Sequence, residues 1–267
     1  MRYIFRNLRM LFTDQLKNTI ELKSYPKRII SLVPSQSELL WDLGIREELV
    51  GITKFCIHPP EMFVSIDRVG GTKTLNIEKI SALKPDLIIG NKEENEQSQI
   101  LALQKEFTVW MSDIYNLQDS LMMIRSVGAL VNRVEEAKTI ENNIQSSFCN
   151  LYKLNNSVLY FIWREPYMAA GNGTFIGDML KRIGLENKMS DDHSRYPELN
   201  LEGIKSLNPE LILLSSEPYP FKESHINELQ NILPHTKIIL VDGELFSWYG
   251  SRLQKSIAYF NELMKLF

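Results

Sequence analysis

The sequence predicts an α/β protein of two similar lobes joined by one long rigid helix, and three observations predict it. First, residues 75–90, LNIEKISALKPDLIIG, return at residues 199–214 as LNLEGIKSLNPELILL, a constant offset of 124 residues. Leu, Asn, Glu, Ile, Leu, Pro, Leu and Ile stand at matching positions, more than composition alone produces. Second, short apolar runs alternate with helical patterns on both sides of the chain, the mark of a mainly parallel sheet. Third, residues 129–165 contain neither Gly nor Pro. Val134, Ala137, Ile140, Ile144, Phe148 and Leu151 recur there every three or four residues, as on one amphipathic helix. The chain therefore divides into an N-terminal α/β lobe at 1–132, a backbone helix at 133–154 and a C-terminal α/β lobe at 155–267. Two such lobes facing one another leave a cleft, and clefts between domains are where small ligands bind.

Each copy of the repeat reads in the same way. An Asn caps a short helix with apolar residues at i, i+3 and i+6, a Pro breaks it, and a buried strand follows. Around the copies, residues 13–22 read as a strand pair, and RIISLVP (28–34) as a buried strand ended by Pro34. A helix capped by Ser35 or Ser37 follows, with Leu39, Leu40 and Leu43 on its apolar face and Gly44 as its stop. Residues 49–53 form a strand, and Phe55, Cys56, His58, Pro59 and Pro60 a loop that cannot be helical. A helix through Leu101 and Leu103 and a strand at 107–111 complete the first lobe. The second begins with a strand at 158–163 and a turn at 171–174. It continues through a helix at 175–183 stopped by Gly184, the second copy, a strand at 237–241 and a helix at 252–267.

Composition narrows the functional classes. With 44% hydrophobic and 24% charged residues, the 267-residue chain is an ordinary soluble globular protein. A net charge of −3 without long runs of one sign argues against a nucleic-acid partner. Cys56 and Cys149 have neither metal-ligand spacing nor a disulfide framework and read as free. Arginines at 2, 6 and 9 interrupt the apolar residues of the N-terminal segment, so it does not read as a signal peptide; by itself it predicts a cytoplasmic chain. No stretch approaches the roughly 20 apolar residues needed to span a bilayer.

The motifs RIISLVPSQSELLWDLG, VGGTKTLNIEKISALKPDLIIGNKEEN, the long helix, WREPYMAAGNGTF and SEPYPF, in that order, resemble the cobalamin-binding, BtuF-like branch of the periplasmic substrate-binding proteins. That branch belongs to the helical-backbone class, which also delivers iron siderophores and haem to ABC transporters. The likeness runs from Thr13 nearly to the end of the chain. It implies two Rossmann-like lobes, a rigid backbone helix, a guest held in the cleft without chemical change, a monomer, no cofactor of the protein's own and an exported location, which the N-terminal segment does not supply. It also implies that Glu78 and Glu202, equivalent in the two copies, dock onto arginines of a membrane permease. Two like-placed carboxylates suit a two-fold symmetric partner. A Glu two residues after an N-cap is also explained by the helix dipole alone, worth roughly 0.3–1 kcal/mol.

Ligand contacts are expected from loops at strand ends. Trp163 with Arg164, and Trp248 and Tyr249 with Arg252, pair a flat apolar face with a guanidinium able to hold a propionate, phosphate or amide oxygen. Ser35, Gln36, Lys73 and Asn91 are added from the first lobe, and Tyr196, Glu217 and Tyr219 from the second. Each aromatic is equally well explained by packing. His58 and His193 can ligate iron or cobalt in principle, but lone loop histidines mostly ligate nothing, and neither is assigned as a ligand. Where cobalamin carriers often have a Trp before the first copy, this chain has Thr72-Lys73, which leaves anionic siderophores and other metal chelates open. The competing reading is a cytoplasmic enzyme or sensor acting on such a chelate through His58, Glu93 or His193. No motif assembles a nucleophile, a base and an orienting group.

Overall fold

A computed structural model describes residues 9–149, 151, 153–189 and 194–267. His193 and the first eight residues of the N-terminal segment lie outside the described residues. The chain divides into two compact units. The first holds the described residues up to Ile114, with Gln118–Asn142 and Tyr249–Arg252; the second holds Tyr115–Leu117, Asn143–Trp248 and Leu253–Phe267.

The first unit opens with a hairpin of β1 (Met10–Thr13) and β2 (Thr19–Leu22), paired antiparallel. Then follow β3 (Ile29–Ser31), α1 (Pro34–Asp42), β4 (Leu49–Ile52), α2 (Pro60–Ser65), β5 (Asp67–Arg68), α3 (Ile77–Leu83), β6 (Leu87–Asn91), α4 (Gln97–Leu103) and β7 (Val109–Ser112). The five strands β3 to β7 form one all-parallel sheet in the order β5-β4-β3-β6-β7. Numbered along the chain this is 3-2-1-4-5, the Rossmann order without its sixth strand, whose switch point lies outside the C-terminal ends of β3 and β6. One face of the sheet packs Ile30, Leu32, Ile88 and Val109 against Ile80, Ile100 and Leu103 from α3 and α4.

Two local expectations are corrected here. Neither Ser35 nor Ser37 caps α1: Val33 is the N-cap and Pro34 fills the first turn, where a missing N–H costs nothing. The Ser37 hydroxyl instead reaches back to Val33 O and Ser31 Oγ, both at 2.8 Å. For the same reason the prolines at 59 and 60 do not exclude a helix, since Pro59 is the N-cap of α2 and Pro60 its first residue.

The expected helix at 133–154 is met by α6 (Val134–Phe148), and a separate helix that the sequence reading did not assign, α5 (Leu117–Leu130), precedes it. Asn132 adopts a left-handed φ of 55° between them, and Arg133 N–H closes onto Gly128 O at 2.7 Å. A Cβ at Gly128 would stand 2.3 Å from the Ala137 Cβ, so the glycine permits the two helices to cross closely. An Asn in left-handed conformation thus ends α5 where a Gly is usual, and α6 begins one residue after the expected start at 133. At 15 residues, α6 is about 22 Å long. The boundary between the two units, at 142/143, falls inside it.

The second unit contains β8 (Ser157–Trp163), β9 (Tyr167–Ala169), α7 (Phe175–Arg182), β10 (Glu186–Asn187), β11 (Glu198–Leu199), α8 (Leu201–Leu207), β12 (Leu211–Ser215), α9 (Glu223–Ile232), β13 (Lys237–Val241), α10 (Glu244–Ser247) and α11 (Leu253–Met264). Strands β10, β12 and β13 lie parallel within the β8 sheet, while β9 pairs antiparallel with β8 and β11 antiparallel with β9. Strand β8 takes the central place that β3 takes in the first unit, and the switch point lies at the ends of β8 and β12.

Candidate functional site

The duplication places matched chemistry in both units. Asn76 Oδ1 accepts from Lys79 N–H at 2.9 Å, and Asn200 Oδ1 from Gly203 N–H at 2.8 Å, so both copies begin on an Asn cap. Both helices end on a left-handed residue, Lys84 (φ 48°) and Asn208 (φ 42°). An acid then fastens the neighbouring central strand. Asp86 accepts from the Lys27 and Arg28 amides at 2.8 and 2.9 Å, and Glu210 from the Ser157 amide at 2.7 Å. These bonds hold the Glu210 carboxyl below the usual carboxylate range. Glu78 and Glu202 stand at equivalent positions in the first turns of α3 and α8, both exposed; Glu202 lies 3.5 Å from Lys205.

At the switch point of the first unit, Gln36 and Asn91 converge on Ser112. Asn91 Nδ2 donates to Ser112 Oγ at 3.0 Å, and Gln36 Nε2 donates to the same oxygen. Asn91 Oδ1 accepts from the amides of Glu93 and Glu94, and Asn95 ties Asn91 N–H to the carbonyls of Leu32 and Thr72. Ser35, Gln36 and Asn91 are buried, and Gln36 Oε1 has no hydrogen-bond partner. Lys73 is exposed, with Nζ on the carbonyl of Glu93. Arg252 is buried and paired with Glu38 of α1 at 2.7 and 3.2 Å, and Tyr249 is buried beside it in the chain. Cys56 Sγ lies 3.1 Å from the hydroxyls of Ser37 and Thr53, and burial pushes its thiol up, away from a reactive thiolate.

At the switch point of the second unit, Trp163 ends β8 and Tyr219 follows β12. The rings meet edge-on at 5.7 Å, and Trp163 remains 41% exposed. Tyr219 packs edge-on against Phe221 at 4.8 Å, with its hydroxyl 3.3 Å from His225 Nε2. His225 Nδ1 accepts the Lys222 amide at 2.8 Å, which assigns the ring proton to Nε2 and aims it at the phenol oxygen. Beside this shelf Arg164 is held bidentate by Glu228 at 2.8 and 3.0 Å. Trp248 is buried, and its indole N–H donates to Glu217 Oε1 at 3.0 Å; Ser247 Oγ donates to the same oxygen at 2.7 Å. Burial, with the charges of Glu244 and Asp242 added, raises the Glu217 carboxyl above the ordinary range. Tyr196 is half-buried, and among the described residues no group of three or more His, Cys, Asp or Glu could hold a metal.

The structure thus sorts the expected contacts. Trp163, Arg164 and Tyr219 come together, as do Glu217 and Trp248, and Gln36 and Asn91. Arg252 is committed to Glu38. Ser112, Asn95, His225 and Glu228 were missed, because each acts through a partner 20 or more residues away or through a helix cap that no motif marks.

The arrangement is one seen before. The chain is 20% identical to the periplasmic vitamin B12-binding protein BtuF of Vibrio cholerae in its crystal structure, with a TM-score of 0.73 covering 91% of this chain and 98% of that one. It is 19% identical to the periplasmic heme-binding protein RhuT of a Roseiflexus species, with a TM-score of 0.77 covering 90% and 97%. At these identities the likeness establishes the fold. In sequence, a vitamin B12-binding protein of Vibrio cholerae is 27% identical over 200 residues, 72% of each chain. A family profile described as periplasmic binding protein matches residues 29–232. The chain belongs to the periplasmic binding protein family.

Proposed function

We propose that this chain is the substrate-binding component of an ABC transporter, and that it holds a corrinoid or a related metal chelate and releases it unchanged. Family membership supports a binding role, and the relatives' named ligands, vitamin B12 and heme, are large planar chelates. The observation that carries the reading is the Trp163–Tyr219 shelf at the switch point of the second unit, where an indole stays 41% exposed although aromatic packing surrounds its partner ring. A flat guest buries that face, beside the Arg164–Glu228 pair. Lys73 is proposed as a cationic contact from the first unit.

A visible-region titration with cobinamide, cobalamin, haemin and a ferric siderophore tests this. Saturable stoichiometric binding of one of them, with the guest recovered intact, is the expected result. Conversion of the bound guest would instead establish the enzyme reading, and no binding of any would remove both. Glu78 and Glu202 are proposed as the contacts to the permease, supported by their exposure and identical placement on two capped helices. Reversal of both charges should abolish capture by the permease while leaving guest affinity unchanged.

A further inference from the structure

Glu217 stands just past the C-terminal end of β12, at the switch point of the second unit, where open α/β sheets bind their ligands. Close packing fixes its side chain. A Cβ at Gly243, the N-cap of α10, would lie 2.7 Å from Glu217 Cγ and 2.3 Å from Ser215 Oγ, so the glycine lets the start of α10 press against this residue. Two donors from the far end of α10 converge on one carboxyl oxygen: Ser247 Oγ at 2.7 Å and Trp248 Nε1 at 3.0 Å both meet Oε1. The other oxygen, Oε2, has no hydrogen-bond partner among the described residues and keeps a surface open to solvent. The carboxyl is thus oriented, with one oxygen engaged and the other presented.

The surroundings decide what Oε2 offers. Asp242 at the end of β13 and Glu244 on α10 are acids, and among the described residues no Lys or Arg forms an ion pair with Glu217. The remaining titratable groups on this side are phenols. Tyr160 of β8 is linked through Ser215 Oγ at 3.2 Å, and the Tyr259 hydroxyl of α11 receives the Asp242 amide at 2.8 Å. A half-buried carboxyl among acids, without a counter-ion, retains its proton, in keeping with its raised pKa. A carboxyl kept neutral in this way is a hydrogen-bond donor. In a carboxylic acid the hydroxyl oxygen donates and the carbonyl oxygen accepts. Two donors on Oε1 mark that atom as the carbonyl, which puts the proton on Oε2. Asp242 and Glu244 also repel a guest carboxylate, so the oxygen that suits this donor is uncharged.

We propose that Glu217 donates its Oε2 hydroxyl to an uncharged carbonyl oxygen on the rim of the guest, such as that of a carboxamide, and so selects amide-bearing guests over their carboxylate counterparts. The proposal rests on the reading of the chain as a carrier of corrinoids or related chelates. The probes are dicyanocobinamide and cyanocobalamin, whose rims carry carboxamides, and cobyrinic acid, which carries carboxylates on the same ring. Each is titrated against wild type, Glu217→Gln and Glu217→Ala at pH values below and above the folded value of Glu217. Wild-type affinity for the amide probes should fall by about tenfold as the pH rises through that value, because the donor is lost and a charge replaces it. Glu217→Gln offers an N–H donor at every pH, so its profile should be flat and about tenfold tighter than wild type at the alkaline end. Glu217→Ala should be flat and weak throughout. The Glu217 carboxyl carbon resonance, identified by its loss in Glu217→Gln, should titrate at higher pH with the guest bound, since a guest that prefers the protonated form holds the proton in place. A wild-type profile that coincides with that of Glu217→Gln, an unmoved carboxyl titration, or equal affinity for cobyrinic acid overturns the proposal and leaves the carrier reading standing. Failure of wild type to bind any of the three probes at any pH overturns the proposal and the corrinoid reading together.

Discussion

Replacing Arg252 by alanine should destabilise the first unit severely. The guanidinium sits on Glu38 in a two-pronged pair, Nε to Oε2 at 2.7 Å and Nη2 to Oε1 at 3.2 Å, with side-chain exposures of only 8% and 3%. Removing one partner strands the other charge out of water, which costs about 3–5 kcal/mol. For a 267-residue chain the unfolding entropy at the midpoint is about 0.56 kcal/mol/K, so the expected fall in melting temperature is roughly 5–9 °C. The measurement is calorimetric melting of wild type, Arg252→Ala, and the double variant Glu38→Leu with Arg252→Met. The double variant should recover much of the loss, because apolar residues of similar volume avoid the desolvation penalty altogether. A melting temperature for Arg252→Ala within about 1 °C of wild type would refute the assignment of Arg252 as a buried structural charge. It would return the residue to the set of guest contacts, and guest affinity of the same variant distinguishes the two roles.

Four other outcomes follow from the same geometry. Trp163→Ala should weaken guest binding by about tenfold, since a central aromatic anchor is worth over 1 kcal/mol; fluorescence or absorbance titration reads it. Glu217→Gln keeps the acceptor for Trp248 and Ser247 but removes a carboxyl whose folded-state pKa is raised, chiefly by burial. A raised carboxyl pKa means that the folded state retains a proton the unfolded state has lost, so native stability falls as pH rises from about 4.5 through the folded value. The Gln variant should therefore melt higher than wild type at pH 7, and the gap should close as the pH falls below about 4.5. Asn76→Ala and Asn200→Ala should each cost about 1 kcal/mol by chemical denaturation, with substitution by Ser nearly neutral.

Much of the fold was legible because its signals are local. An Asn cap, a helix of two turns, a left-handed stop, a Pro and a buried strand follow one another within 16 residues, and the chain states them twice. The strand at 237–241 was likewise bounded by its own residues. The start of α6 was placed to within one residue by its own apolar periodicity, whereas α5 was not assigned, and the left-handed Asn132 and the closeness of Gly128 to Ala137 that join the two helices leave no mark in that periodicity. The site divides along the same line. Aromatics after strand ends could be picked out from position, so Trp163 and Tyr219 stood out; their partners His225 and Glu228 lie on a helix that the strand pattern does not reach.

The repeat also shows why a shared motif need not mean a shared role. The acids Asp86 and Glu210 both fasten the first amides of a central strand, a need that any parallel sheet has, and neither position requires a ligand. Five and seven residues further on, the copies part company. Asn91 ends β6 inside a closed amide network with Ser112 and Asn95, whereas Glu217 lies just beyond β12, where its raised carboxyl receives the Trp248 indole. Duplication therefore conserved the scaffold terms, caps, stops and strand anchors, and let the residues at the strand tips diverge. A binding surface made from such tips is free to differ between the units, which a guest without two-fold symmetry requires. The experimental counterpart is the contrast between Asn91→Ala and Trp163→Ala: the first should lower the melting temperature more than it lowers guest affinity, and the second should do the reverse.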